Sequence, residues 1–265
     1  KALYASEIGD WLGISGDPTH WRYFDNPNLP ENDEDYLLFA GDGGVPEIFD
    51  TIEGEGPLIG RPSIFLRFFG CNLTCKGFKS DDSPNGCDSY ISWSVKNKLS
   101  FNETFNLLES KCFIERLKAG AVMKITGGEP FLRQEQLLKF VRQFENRYRF
   151  VPEIDFETNA TIMPDERWVT EFDATFTTSP KLSTNGDLES KTYKPEVLRW
   201  HAMNRSAFKF VITRSEDIDE IWRKYVNDKE GINVDTSRIW FMPCAGSREE
   251  HIERAPAVAE YAKQM

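Results

Sequence analysis

The sequence predicts an α/β fold: an open, partial β/α barrel of about six parallel strands, preceded by an N-terminal extension. Three observations carry this expectation. Short apolar runs alternate with helix-period patterns from residue 63 to the end, the pattern of parallel strands joined by helices. Six such runs are present, too few for a closed eight-stranded barrel. Residues 1–48 differ from the rest: they are rich in Asp, Asn, Pro and Gly, with only short apolar patches such as Tyr36-Leu37-Leu38-Phe39. We therefore divide the chain into an extension over 1–48, wrapping the domain, covering an edge or remaining partly disordered, and a barrel domain over 49–265.

The first strand is read at 63–69 (SIFLRFF) and the second at 121–126 (AVMKIT), which ends at a Gly-Gly turn. Further strands are read at 154–157, 174–178, 208–212 and 239–242. Phe105, Leu108, Phe113 and Leu117 give helical spacing over 102–118, although Lys111 and Cys112 blur its middle. Leu137, Leu138, Val141 and Phe144 share one face of a helix over 134–148. Segments 195–201, 217–227 and 249–263 complete the helices.

Composition narrows the function classes. The apolar fraction is 40 %, with 20 Phe and 7 Trp, enough for a sizeable core. A net charge of −11 repels phosphate backbones and argues against a nucleic-acid binder. No apolar stretch is long enough to span a membrane. The first ten residues carry acidic side chains and no apolar centre, unlike a signal peptide, and the missing initiator Met suits a trimmed chain. Five cysteines without a secretion signal fit reduced thiols in the cytoplasm. Three histidines leave few candidates for a His-based metal site.

The cysteines are the strongest chemical signal. Cys71 and Cys75 are four apart, directly after the first strand, and Cys87 lies twelve residues further on, beyond a polar loop over 76–86. Soft thiolates suit iron–sulfur clusters, and three of them leave one iron open to a cofactor or substrate. Zinc, a disulfide and unrelated packed thiols stay open as readings of the cysteines alone. Cys112 is expected in the core, in mid-helix. Cys244, at the end of the last strand, is expected to be a packed thiol near the site.

Further runs make the pattern specific. Thr51-Ile52-Glu53-Gly54-Glu55-Gly56, Gly60-Arg61-Pro62, Phe65-Leu66-Arg67, Gly70-Cys71-Asn72-Leu73, Cys75 and Cys87-Asp88-Ser89 follow in order. Then come Thr126-Gly127-Gly128-Glu129-Pro130, Glu157-Thr158-Asn159-Ala160, Ser179-Pro180-Lys181-Leu182, Lys209-Phe210-Val211 and Met242-Pro243. Together they resemble the 7-carboxy-7-deazaguanine synthases, radical S-adenosylmethionine enzymes of the 7-deazaguanine (queuosine-type) pathway. The resemblance covers roughly residues 48–245. Three departures stand out. Phe78 occupies the family's usual third cysteine position, and Cys87 follows nine residues later with its Asp-Ser intact. Glu53 replaces a usual Gln, and Cys244 follows Met-Pro where another residue is common.

The resemblance implies a set of roles. Cys71, Cys75 and Cys87 would hold a [4Fe-4S] cluster, whose open iron takes the amino and carboxylate groups of S-adenosylmethionine. Reductive cleavage of that cofactor would yield a 5′-deoxyadenosyl radical that takes hydrogen from the substrate. Gly127, Gly128, Glu129, Thr158, Asn159, Ser179 and Lys181 would bind the cofactor. Glu53, Glu55 and Arg67 would bind a pterin, with Arg67 either on its carboxylate or in a structural ion pair with Glu53 or Glu55. Ser89, beside Asp88, would hold Mg2+. The implied reaction is conversion of 6-carboxy-5,6,7,8-tetrahydropterin to 7-carboxy-7-deazaguanine with loss of ammonia, that of a radical carbon–nitrogen lyase. The implied partners are an electron donor such as flavodoxin and, as in much of that family, a second copy in a homodimer. Two rivals are a glycyl-radical activating enzyme acting on a partner protein and a zinc- or cluster-stabilised binding module. The Gly-rich loop at 53–62 disfavours the first rival, and the later motifs disfavour the second.

Overall fold

Alternate residues of one sheet go to opposite environments, and this alternation organises the molecule. The computed structural model describes residues 35–41, 44–79, 85–87, 90, 94–227 and 231–263. Among them nine strands form one sheet: β1 (Tyr36–Phe39), β2 (Ile48–Ile52), β3 (Pro62–Phe68), β4 (Asn97–Ser100), β5 (Val122–Gly127), β6 (Ile154–Thr158), β7 (Thr175–Thr178), β8 (Ser206–Ile212) and β9 (Ile239–Pro243). From β3 through β5, β6, β7 and β8 to β9 every neighbouring pair is parallel and follows chain order. The fold is therefore mixed α/β with a largely parallel open sheet, and the six parallel strands match the expected runs to within about two residues. On its other edge β3 pairs antiparallel with β2 over Pro62–Leu66 and with β1 at Phe68, and β4 lies antiparallel beyond β1.

β1, β2 and β4 were not expected. Tyr36–Phe39 falls within the stretch read as an extension, yet it enters the sheet with Leu37 and Phe39 fully buried. Residues 1–34 lie outside the described residues.

Eight α-helices are described: α1 (Phe101–Ser110), α2 (Phe113–Lys118), α3 (Gln134–Tyr148), α4 (Arg167–Thr170), α5 (Glu189–Thr192), α6 (Pro195–Met203), α7 (Glu216–Ile221) and α8 (Arg248–Ala262). The single helix expected over 102–118 is two. Phe105 and Leu108 are followed by Phe113 and Leu117, a five-residue step that one continuous helix would carry off the core face. Cys112, left-handed at φ 57°, absorbs that phase shift. It is exposed, which corrects the expected core thiol. Ser100 caps α1 through a reciprocal capping box with Glu103.

On the helix side Leu66, Ile125, Phe156 and Phe176 pack with Phe105, Phe140, Phe144 and Trp168 in the main core. A second cluster joins Phe208 and Phe210 to Leu198, Ile221 and Tyr225. Each such side chain, once buried, stabilises the fold by roughly 1.5–3 kcal/mol. The residues between them, Arg67, Lys124, Asp155, Glu157 and Lys209, go to the other face, because successive strand side chains alternate. No helix among the described residues is long and apolar enough to cross a membrane.

Candidate functional site

The C-terminal ends of the parallel strands open into a cavity of about 820 Å³, the end at which barrel active sites are built. After β3 the chain turns at Gly70, φ +92°, and presents Cys71. Cys71, Cys75 and Cys87 all line this cavity. Asn159 binds the cysteine loop through Nδ2, which donates to Asn72 Oδ1 at 2.9 Å and lies 3.8 Å from Cys71 Sγ. Asn72 in turn donates to Thr161 Oγ1 at 2.8 Å. Cys75 is left-handed, φ 49°, and its amide donates to Asp187 at 2.8 Å.

The thiols also sense one another. Burial pushes Cys71 up to about 11, and the charge of Cys75 adds to the rise. Burial raises Cys75 as well, with Cys87 contributing. Among the described residues, no three His, Cys, Asp or Glu side chains stand in the tight array of a single-ion site. A four-iron cluster is wider than one ion, and its positive irons supply the charge that buried thiolates need. Three thiols on one cavity wall fit that group.

The second wall is the turn after β5. A Cβ on Gly128 would stand 2.1 Å from the Gly70 carbonyl oxygen and 2.8 Å from Cys71 Cβ, so only glycine lets this turn lie against the cysteine loop. The Glu129 amide donates to Gly70 O at 2.9 Å and sews the two turns together. Gly127 and Gly128 line the cavity, but Glu129 lies behind them. Its carboxylate accepts from the amides of Asn159 at 2.8 Å and Phe131 at 3.1 Å and from the Thr158 hydroxyl at 2.9 Å. Burial pushes Glu129 up to about 7 against those hydrogen bonds. Thr158, Asn159, Ser179 and Lys181 complete this side of the cavity. Lys181 Nζ donates to Ser179 Oγ at 2.9 Å.

The floor is a network of charges in which Glu53, Glu55, Glu157 and Lys209 line the cavity and the buried Lys124 and Asp155 lie behind them. Lys124, with no exposed surface, pairs with Glu53 at 2.8 Å, Asp155 at 2.7 Å and Glu157 at 3.5 Å. Thr175 and Thr177 donate to the two Asp155 oxygens at 2.7 and 3.0 Å. Lys209 pairs with Glu55 from 154 residues away. Burial opposes the Lys124 ammonium, yet Glu157, Asp155 and Glu53 outweigh it and raise its pKa. Burial likewise opposes the Glu157 carboxylate, but Lys209 and Lys124 bring it to about 2. Glu53, Glu55 and Arg67 all line the cavity. Arg67 pairs with Glu47 at 2.8 Å rather than with Glu53 or Glu55, the partners its position suggested. Asp88 and Ser89 lie outside the described residues.

Two parts of the site were not anticipated as such. No motif in the sequence assigns a role to Lys124, Asp155, Glu157 or Lys209, although charges at alternate positions of apolar strands are the signal of a polar face. The last wall comes from the loop after β9 and the first turns of α8, which bring Cys244, Glu250, His251 and Arg254 to the cavity. Arg254 donates to the Cys244 carbonyl oxygen.

Comparisons with known proteins bear on this site. A family described as a 4Fe-4S single cluster domain matches residues 52–163, the segment carrying all three cysteines and the Gly-Gly turn. The chain is similar to the 7-carboxy-7-deazaguanine synthase of Pyrobaculum aerophilum, 29 % identical over 215 residues, covering 79 % of this chain and 82 % of that one. It is also similar to the 7-carboxy-7-deazaguanine synthase of Hyperthermus butylicus, 29 % identical over 201 residues, covering 75 % and 76 %. Among solved structures it shares the fold of QueE from Escherichia coli, with a TM-score of 0.55 at 19 % identity over 88 % of this chain and 95 % of that one. The resemblance drawn from the sequence motifs is borne out.

Proposed function

From this similarity to the 7-carboxy-7-deazaguanine synthases we propose that the chain is a radical S-adenosylmethionine enzyme on an open β/α barrel with an N-terminal extension. It converts 6-carboxy-5,6,7,8-tetrahydropterin to 7-carboxy-7-deazaguanine with loss of ammonia. The observation that carries this reading is the meeting of Cys71, Cys75 and Cys87 with Gly127, Gly128, Asn159 and Lys181 around one cavity. A [4Fe-4S] cluster held by those cysteines supplies the electron for reductive cleavage of S-adenosylmethionine.

The chain's own residues do the positioning. The Gly127–Gly128 backbone admits the cofactor's amino group at close range, and the Lys181 ammonium meets its carboxylate. Glu129 acts one layer back, holding Thr158 and Asn159 in place. The Arg67 guanidinium takes the substrate carboxylate in a two-pronged pair in exchange for Glu47. Glu55, reached by Lys209, accepts from the amino-pyrimidinone edge. Glu53, whose carboxylate already meets Lys124 and the Gly54 amide, shapes the loop. Ser89 provides a hydroxyl for Mg2+. An electron donor such as flavodoxin, a homodimer and a cytoplasmic setting belong to the same reading. The glycyl-radical alternative is not favoured, because the relatives described above carry the synthase name.

Anaerobic reconstitution with iron and sulfide tests this. A brown protein is expected that, once reduced, cleaves S-adenosylmethionine and turns the carboxy-tetrahydropterin into the deazaguanine acid. Cys87→Ala is expected to lose the cluster. Cofactor cleavage with no change to the pterin would sink the substrate assignment, and a normal cluster in Cys87→Ala would sink the third ligand.

A further inference from the structure

The turn after β7 packs backbone to backbone on the cysteine loop. A Cβ on Gly77 would stand 2.0 Å from the Thr184 carbonyl oxygen and 2.9 Å from the Gly186 nitrogen. Gly186 faces it in turn, left-handed at φ +79° and with the Gly77 nitrogen 2.7 Å from where its own Cβ would sit. Two glycines thus bring the turn around residues 183–187 against the loop holding Cys75.

Polar groups lock this contact. The Asp187 carboxylate accepts from the amides of Thr74 at 2.9 Å and Cys75 at 2.8 Å and from the Thr74 hydroxyl at 2.6 Å. Hydrogen bonds to an ionised group are the strong kind, and here they fasten the residue whose backbone is left-handed. Asn185 has no exposed surface. Its Oδ1 accepts the Asp187 amide at 3.0 Å, and its Nδ2 lies 3.8 Å from Cys75 Sγ, within reach of a weak N–H···S bond. Behind the turn, the Ser183 amide and hydroxyl donate to Glu220 at 3.1 and 2.6 Å. Lys224 pairs with Glu220 at 3.0 Å. Polar contacts thus hold the turn at both ends, Ser183 against α7 and Asn185 and Asp187 against the cysteine loop. The Cys71 sulfur has a separate set of donors, the Leu73 amide at 3.5 Å and Asn159 Nδ2 at 3.8 Å.

We propose that Asp187 and Asn185 are positioning residues for the iron–sulfur cluster: Asp187 fixes the backbone that presents Cys75, and Asn185 donates to the Cys75 sulfur and raises the cluster's reduction potential. An N–H aimed at a coordinated sulfur stabilises the more negative, reduced form, so its loss moves the potential downward. Partners behind a ligand also govern how tightly metal is held. The proposal rests on the cluster reading of Cys71, Cys75 and Cys87.

The test uses the full-length reconstituted protein. Asn185→Leu keeps the volume and removes the donor. It is expected to hold as much iron per chain as the parent and to show a more negative midpoint potential in a redox titration followed by electron paramagnetic resonance. Asn185→Asp keeps an acceptor for the Asp187 amide and sets a carboxylate against the sulfur, so its potential is expected to lie lower still. It also carries the test if Asn185→Leu fails to fold by circular dichroism. Asp187→Ala is expected to lose iron to a chelator about 10-fold faster than the parent. Parent-like potentials in the Asn185 variants overturn the sulfur donor, and parent-like chelator resistance in Asp187→Ala overturns the clamp. A parent that takes up no iron overturns the cluster reading itself, so the two failures are told apart by the parent's iron content.

Discussion

The helix-covered face and the cavity face of the sheet are built from the same strands, one residue out of step, and depend on different physics. On β6, Ile154 and Phe156 enter the apolar core, while Asp155 and Glu157 enter the charged floor. Phe156 and Lys124 are equally hidden from solvent. The first is held by area removed from water and by ring packing against Phe131, Trp168 and Phe176. The second is held only because three carboxylates surround it. Burial depth therefore does not say what a substitution costs. A core face tolerates changes that conserve volume, whereas a charged floor tolerates only changes that conserve balance.

Lys124→Met should have the largest effect. It leaves Glu53 and Asp155 buried beside no ammonium, a loss of about 3–5 kcal/mol at neutral pH. Phe156→Ala should cost a similar amount, about 3–5 kcal/mol, through the cavity it leaves. Acid separates the two. In the parent, Glu157 sits at about 2 against an ordinary 4.5, so its contribution is complete above pH 4.5 and drains away as pH falls toward 2. Phe156→Ala inherits that acid loss unchanged. In Lys124→Met the unpaired carboxylates favour their protonated form, so its stability relative to the parent should improve as pH falls from 7 toward 4.5. Urea unfolding at pH 7 and pH 4.5 reads both. If the deficit of Lys124→Met is as large at pH 4.5 as at pH 7, the floor is not held by charge balance.

His201 brings titration to the helix-covered face. It is buried between Trp200 and Phe176, its Nδ1 2.9 Å from Ser206 Oγ. Burial, helped by the Arg238 charge, pushes it down to about 3 from an ordinary 6.5. The folded protein thus refuses a proton that the unfolded chain accepts. Its contribution is complete above pH 6.5 and falls by about 1.4 kcal/mol for each pH unit below that, until pH reaches about 3. His201→Gln should lack this loss, so between pH 6.5 and 5 its stability should rise relative to the parent by up to about 1.4 kcal/mol for each pH unit of acidification. An unchanged slope in that variant would mean that the acid sensitivity arises elsewhere.

The same contrast explains what could be read from the residues. The outer face announces itself through Leu66, Ile125, Phe156 and Phe210, whose apolar runs mark the parallel strands. The cysteines and the Gly-Gly turn were legible because their chemistry is compact in the chain. The floor was not, because Lys124 finds its partners at 53, 155 and 157, and no local spacing reveals that meeting. Asn185 and Asp187 escaped notice for the same reason, lying 110 and 112 residues from the cysteine they serve. β1 and β4 are short, and their pairing with each other is decided by long-range contacts. Cys112 misled because its spacing fits a helix until the five-residue step to Phe113 is weighed.

Ser100→Ala should give the smallest effect and the sharpest separation of stability from function. Ser100 Oγ accepts the Glu103 amide at 3.2 Å, while the Ser100 amide donates to Glu103 at 2.7 Å, so one substitution opens the cap of α1. Loss of such a cap costs about 1 kcal/mol. α1 packs through Phe101, Phe105 and Leu108 on the helix-covered side, and none of these side chains lines the cavity. Ser100→Ala should therefore lower the thermal midpoint while iron content, midpoint potential and cofactor cleavage stay at parental values at 25 °C. The cavity walls are tied to each other through Gly70, Glu129, Asn159 and Asp187 rather than through this helix, so a small outer-face loss has no polar path into the site. A shift in the cluster's potential in Ser100→Ala would mean that the two faces are coupled after all.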